Sequence, residues 1–205
     1  MKRGFTLIEM IVVLGVVAIL AAILVPVVEK SINEARVARA RNEVQVIAAG
    51  MVNFYKDVCR WPNTRRRNLS PNLRLLYSVG NAGRYDGDGC GNGNRCKGWW
   101  KIIRAAKDTF TNQLIKNTLG GRRRRHYPTT GSCAWRGPYL SGIKPDPWGN
   151  HYSSNVRYTW PSVATWFNRA VYVWSAGPDG QADTPVSQLK TRARLYDDDI
   201  GVRLR

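Results

Sequence analysis

Apolar residues run almost without interruption from Phe5 to Val28, and the carboxylate in that run, Glu9, lies close to its start. At about 1.5 Å per helical residue, about 20 such residues cross a bilayer, so the run predicts a membrane-spanning helix. Lys2 and Arg3 precede it and orient that end towards the cytoplasm. A secretory signal peptide is one competing reading, but its apolar core is shorter and ends at a small-residue cleavage site. Here the apolar pattern passes Ala18, Ala21 and Ala22 and continues to Val28. An ordinary anchor is the other reading. Glu9 speaks against it, because a carboxylate facing lipid costs about 3 kcal/mol unless it finds a partner.

Beyond Pro26 the pattern changes to one apolar stripe. Val28, Ile32, Ala35, Ala38, Val44, Ile47, Ala48, Met51, Val52 and Tyr55 recur at steps of three and four, with charged residues between them. That spacing predicts a helix laying one face on a globular domain. From Phe5 to about Asp57 the helix would extend about 75–80 Å, and Pro26 removes one of its backbone bonds. Trp61-Pro62 forces a turn out of it.

The segments that follow are less periodic. Leu69–Val79 reads as a short helix, with Ser70 as cap and Pro71 at its first position. Tyr85–Cys96 alternates Asp or Asn with Gly and is a loop. Its Asp86, Asp88, Asn92 and Asn94 offer oxygens to calcium, but a glycine-rich loop pinned by a Cys90–Cys96 bridge is the preferred reading. Trp99–Leu119 has helical character and is stopped by Gly120-Gly121. Tyr152–Tyr158 and Ala170–Trp174 read as antiparallel strands. Trp148, bracketed by the turn formers Asp146-Pro147 and Gly149-Asn150, is expected to pack in the core.

Composition sharpens this picture. The 205 residues suffice for one membrane helix and one modest globular domain. The net charge is +18, from 32 Lys+Arg against 14 Asp+Glu, which favours phosphates, anionic lipids or an acidic partner. Arg65–Arg67 and Arg122–Arg125 concentrate that charge. Each run is either a solvated loop or a contact for DNA or lipid headgroups. Four cysteines without a CxxC pair, and two histidines, point to disulfides rather than zinc. The chain offers no nucleophile–base–acid set and no phosphate loop, so it is not expected to be an enzyme. Asp197-Asp198-Asp199 places three carboxylates side by side, which repel one another unless exposed or neutralised.

Three groups of residues carry a resemblance. Gly4-Phe5-Thr6-Leu7-Ile8-Glu9 before an apolar helix resembles the class III signal of type IV pilins and type II secretion pseudopilins. Phe54-Tyr55-Lys56-Asp57-Val58-Cys59-Arg60-Trp61-Pro62 resembles the junction that follows the family's helix, with Trp61 in place of a tyrosine. Gly137-Pro138-Tyr139-Leu140, Asp146-Pro147-Trp148-Gly149-Asn150, Ser175-Ala176-Gly177-Pro178-Asp179-Gly180 and Asp198-Asp199-Ile200 resemble the C-terminal signatures of the major pseudopilin family.

The resemblance implies an α+β, type IV pilin-like fold: a long N-terminal helix, transmembrane in its first half, on a small antiparallel sheet with a calcium-bound C-terminal loop. It divides the chain into a leader (1–4), a transmembrane assembly helix (5–28), an amphipathic helix (29–60), a variable region (61–134) and a sheet with the calcium loop (135–205). Prepilin peptidase would cleave between Gly4 and Phe5, and Phe5 would be N-methylated. Glu9 would pair with the N-terminal amine of a neighbouring subunit. Calcium would be held by the Ala176 carbonyl, Asp179, Asp198 and Asp199, against the alternative of an exposed acidic turn. The Gln181–Tyr196 connector is longer than the family's and carries Lys190, Arg192 and Arg194. The implied partners are further copies in a helical filament, minor pseudopilins and an inner-membrane assembly platform, with the globular domain in the periplasm. A pilus subunit or DNA-binding pilin-like protein is the alternative. Four cysteines permit three pairings; Cys90–Cys96 with Cys59–Cys133 is the one expected.

Overall fold

The computed structural model describes residues 6–65, 72–80, 107–160, 168–185 and 188–205. The chain divides into two compact units, Met1–Ala38 and Arg39–Arg205. Helix α1 (Leu7–Val58) supplies the first unit and the opening of the second, and it passes through Pro26 as helix. Thr6 caps it: its N–H and Oγ1 each donate to Glu9 Oε2 at 2.8 Å, and Glu9 N–H donates back to Thr6 Oγ1 at 3.3 Å. This reciprocal capping box satisfies two groups that a helix start leaves bare. In the first unit Leu7–Val28 is exposed throughout. By length and composition this part of the helix can cross a membrane.

In the second unit the helix lays Ala40, Val44, Ile47, Ala48, Met51, Phe54 and Val58 into the core. Phe54 meets the edges of Tyr127 and Tyr139, with ring centroids 4.9 and 5.4 Å away. Gly50 permits the closest approach: a Cβ there would lie 2.8 Å from Leu140 Cδ2 and 3.3 Å from the Tyr139 carbonyl oxygen. Cys59, in the left-handed region at φ 57°, ends the helix.

Among the described residues, five short strands form one sheet in the order β2-β1-β3-β4-β5. They are β1 (Leu75–Tyr77), β2 (Lys107–Thr109), β3 (Ser153–Ser154), β4 (Tyr172–Ser175) and β5 (Ile200–Arg203). The β1–β2 pair is parallel and the other pairs are antiparallel, so the sheet is mixed rather than wholly antiparallel. The α+β layout, a long apolar helix continuing onto a small sheet, is consistent with a pilin-like fold.

Four local expectations need correction. The expected helix at Leu69–Val79 is instead strand β1 where the structure describes it. The Asn72 and Leu73 N–H groups both donate to the Asn63 carbonyl at 2.9 Å, and Leu73, Leu75 and Leu76 are all buried. Burial on two faces overrides the capping signal. The expected helix at Trp99–Leu119 is strand β2 followed by a five-residue π-turn, Thr111–Ile115, with residues 99–106 outside the described parts. Buried Asp108 organises that turn, accepting from Asn112 Nδ2 and Gln113 Nε2 at 2.6 Å. The expected strand at Tyr152–Tyr158 pairs at Ser153–Ser154 and then becomes a 3-10 turn, Val156–Thr159. Asn155 takes over from the ladder, donating to the Ala170 carbonyl at 3.0 Å and accepting from Tyr172 N–H at 2.8 Å. Trp148 is partly exposed at its turn rather than fully in the core.

Candidate metal site at the β4–β5 connection

The register of β4 and β5 builds the site. Ser175 pairs with Ile200, so the residues just after β4 and just before β5 must converge, however long the chain between them. Ala176 and Asp179 arrive from one side, Asp197, Asp198 and Asp199 from the other. Gly177 adopts φ +67°, and a Cβ there would lie 2.7 Å from Asp198 Oδ2. The turn therefore needs glycine for both its angle and its space. Asp197, at φ 50°, turns the chain back into β5.

The carboxylates of Asp179, Asp183 and Asp198 each bring an oxygen within 4.8 Å of the others. Asp198 Oδ2 accepts from Asp179 N–H at 3.2 Å. Asp179 accepts from Gln181 N–H at 2.7 Å and Gln181 Nε2 at 3.2 Å. Asp199 is buried, and its Oδ2 accepts from Thr184 N–H at 2.6 Å. Asp198 Oδ1 and Asp199 Oδ1 are buried and, among the described residues, lack a hydrogen-bond partner. Burial, with Asp183 and Asp198 beside it, pushes the Asp199 carboxyl up to about 6. Burial also raises Asp198, and the neighbouring Asp179 and Asp197 add to that rise.

A second sequence signature supports the turn from behind. Buried Asp146 accepts from Trp148 N–H at 3.0 Å and Asn150 N–H at 2.7 Å, and also from Ser175 Oγ. Asn150 Nδ2 donates to the Gly177 carbonyl at 3.3 Å. Asp146-Pro147-Trp148-Gly149-Asn150 thus fixes both the last residue of β4 and the glycine turn after it.

The structure brings Asp179 and Asp198 together and adds Asp183, which sequence reasoning passed over. Its one signal was an acid in a connector otherwise rich in Lys and Arg. Asp199 lies beside the cluster and reaches into the inserted connector through Thr184, while buried Ala176 sits on the same turn. Cys59 and Cys133 form a disulfide with Cα atoms 5.4 Å apart. Gly4, Phe5, Cys90, Cys96 and the Asp86–Asn94 oxygens lie outside the described residues. Glu9 is the reciprocal partner of Thr6 in the capping box.

Residues 1–25 match the prokaryotic N-terminal methylation motif. Over 65 residues the chain is 38% identical to the type II secretion system core protein G of Pseudomonas aeruginosa strain PAO1, a stretch covering 32% of this chain and 46% of that protein. The chain therefore spans less than half the length of that relative. No solved structure matches the chain. The two sequence matches support a pseudopilin-like family, and one apolar N-terminal helix fits a membrane-anchored protein.

Proposed function

We propose that this chain is a structural subunit of a pseudopilus filament in a type II secretion-like system, with its globular unit in the periplasm. The methylation motif over residues 1–25, continuous with the helix Leu7–Val58, carries the reading. Cleavage between Gly4 and Phe5 by a prepilin peptidase would leave a new amine at Phe5, the methylation site, four residues before Glu9. In the single protomer the Glu9 carboxylate accepts hydrogen bonds from the Thr6 N–H and hydroxyl. On assembly the carboxylate would exchange those donors for the amine of a neighbouring copy, which turns a costly charge in lipid into a device that sets register. Further copies, minor pseudopilins and an inner-membrane assembly platform are the partners of such a filament. The role is structural, not catalytic.

Calcium suits the β4–β5 connection. The ion is a hard cation that takes six to eight oxygens, mostly carboxylate and carbonyl. The acid cluster fits it because Asp198 and Asp199 each keep a buried oxygen without a donor, a costly state unless a cation satisfies it. Asp179, Asp183 and Asp198 would hold the ion. Asp199 and the Ala176 carbonyl would complete or support the set. Bound calcium would supply positive charge that ties the inserted connector to the sheet edge.

The experiment expresses the full chain with its peptidase and assembly platform. Gly4→Leu should leave the chain unprocessed, and Glu9→Val should be processed and inserted but yield no filament. Normal cleavage of Gly4→Leu, or filaments from Glu9→Val, would refute the reading.

A further inference from the structure

We propose that Tyr172, Lys190 and Arg203 form an anion site for a phosphate group, free or as a monoester, where the Gln181–Tyr196 connector packs on the sheet. This binding is separate from the filament role. The register of β4 and β5 starts the site. Tyr172 stands directly opposite Arg203, and directly opposed residues of an antiparallel pair send their side chains to the same face. The connector packs there through Ala193 and Leu195, which lie against the cluster of Leu75, Ala170, Tyr172 and Trp174. Its backbone is fixed on either side of Lys190. Ala170 N–H donates to the Gln188 carbonyl at 2.9 Å, and Lys190 N–H donates to the Asn168 carbonyl at 2.8 Å. The Gln188 side chain holds both backbone groups of Arg194, accepting from its N–H at 3.0 Å and donating to its carbonyl at 2.8 Å. Arg203 Nη1 donates to the Lys190 carbonyl at 3.1 Å, which joins β5 to the connector at Lys190.

Two observations point to a ligand. Tyr172 is only 3% exposed, and its hydroxyl is buried with no hydrogen-bond partner among the described residues. Burying a hydroxyl in that state is unfavourable until a partner arrives. The other observation is charge. Desolvation lowers the Lys190 ammonium, and the nearby cations Arg205 and Arg203 lower it further. Burial raises the Tyr172 phenol, and the charge of Arg203 opposes that rise. Arg203 is thus the common neighbour of the hydroxyl and the ammonium.

The donor set selects the ligand. A guanidinium, an ammonium and a phenol hydroxyl all donate, so their complement is a group rich in acceptors. Lys190, Arg203 and Arg205 also repel one another, and a dianion offsets that more than a monoanion does. A carboxylate brings one charge and two oxygens. A phosphate monoester carries a charge of about −1.5 to −2 near neutral pH and three acceptor oxygens. Two of them match the arginine fork, which leaves a third for the ammonium and the hydroxyl.

The test titrates inorganic phosphate into the detergent-solubilised full chain in EGTA, read by calorimetry, with chloride at equal ionic strength as the blank. Saturable binding at one site per chain is expected, together with a rise in melting temperature. Tyr172→Phe removes a hydroxyl without a partner. Without phosphate it should melt no earlier than the parent, yet it should bind phosphate about tenfold more weakly. Lys190→Gln should weaken binding by a similar factor. The charge-matched control Arg41→Gln, exposed on α1, should bind as the parent does. No saturable binding by the parent, undiminished binding by Tyr172→Phe, or an equal loss in Arg41→Gln and Lys190→Gln would overturn the proposal. Earlier melting of Tyr172→Phe without phosphate would overturn it too, because the hydroxyl would then already serve the fold. Glycerol 3-phosphate, titrated in parallel, separates the sources: binding at least as tight as inorganic phosphate supports an ester such as a lipid headgroup, and weaker binding supports the free ion.

Discussion

Asp199 shows how one side chain can cost stability in one state and secure it in another. Its carboxyl is buried with one oxygen on Thr184 N–H and the other without a donor. The folded chain therefore binds its proton more tightly, at about 6, than the unfolded chain, whose aspartates titrate near about 3.9. In EGTA this group's contribution to stability should be fully present below about pH 4 and be lost as pH rises through about 6. Thermal melts across that range should fall with rising pH, and Asp199→Asn, which keeps an oxygen for Thr184, should flatten the fall. Calcium at neutral pH should raise the melting temperature of the parent chain, and EGTA should reverse the rise. Asp183→Asn should weaken calcium binding about tenfold or more, or about 1.4 kcal/mol. Unchanged calcium affinity by titration calorimetry would remove Asp183 from the set. Asp179, Asp198 and Asp199 were legible as a candidate set through motif resemblance. Asp183 was not, because its closeness depends on how the connector folds back over the β4–β5 junction.

At the scale of elements, the long helix and the antiparallel pairing of β3 with β4 were readable, and β1, β2 and β5 were not. A 52-residue helix repeats its apolar spacing many times, so its extent, Leu7–Val58, emerges from the pattern within two residues of the expected Phe5–Asp57. Strands of two to four residues carry too few positions for a period to show. Leu75 is a strand residue because Tyr172, Trp174 and Ala170 pack on it, with Ala193 and Leu195 from the connector packed against the same cluster. Those contacts are far apart in sequence. Strand β5, Ile200–Arg203, closes the sheet along β4. The helix lies close against Leu140 and the Tyr139 carbonyl at Gly50. Gly50→Val should destabilise the fold by about 1–3 kcal/mol through overpacking against Leu140 and the Tyr139 carbonyl, measured by denaturant unfolding.

For the whole molecule, Cys59–Cys133 ties the end of α1 to the segment before the Gly137-Pro138-Tyr139-Leu140 signature, across 74 residues of chain. That loop includes β1, β2 and Arg122–Arg125. Cys59→Ser should lower stability by about 2–4 kcal/mol, seen as an earlier denaturation midpoint, and reductant should do the same to the parent chain but not to the variant. Features that rest on local composition and period could be read without the fold. These are a membrane-length apolar helix preceded by Lys2 and Arg3, its amphipathic continuation, the glycine turns and the clustered acids. Each is encoded within one turn or one run, so no distant partner is needed to read it. The tertiary structure alone decided that β1, β2 and β5 became strands, that the sheet is mixed, and that Asp183 joins the acids. Those outcomes turn on pairing, burial and side-chain direction between residues remote in the chain, which local pattern does not carry.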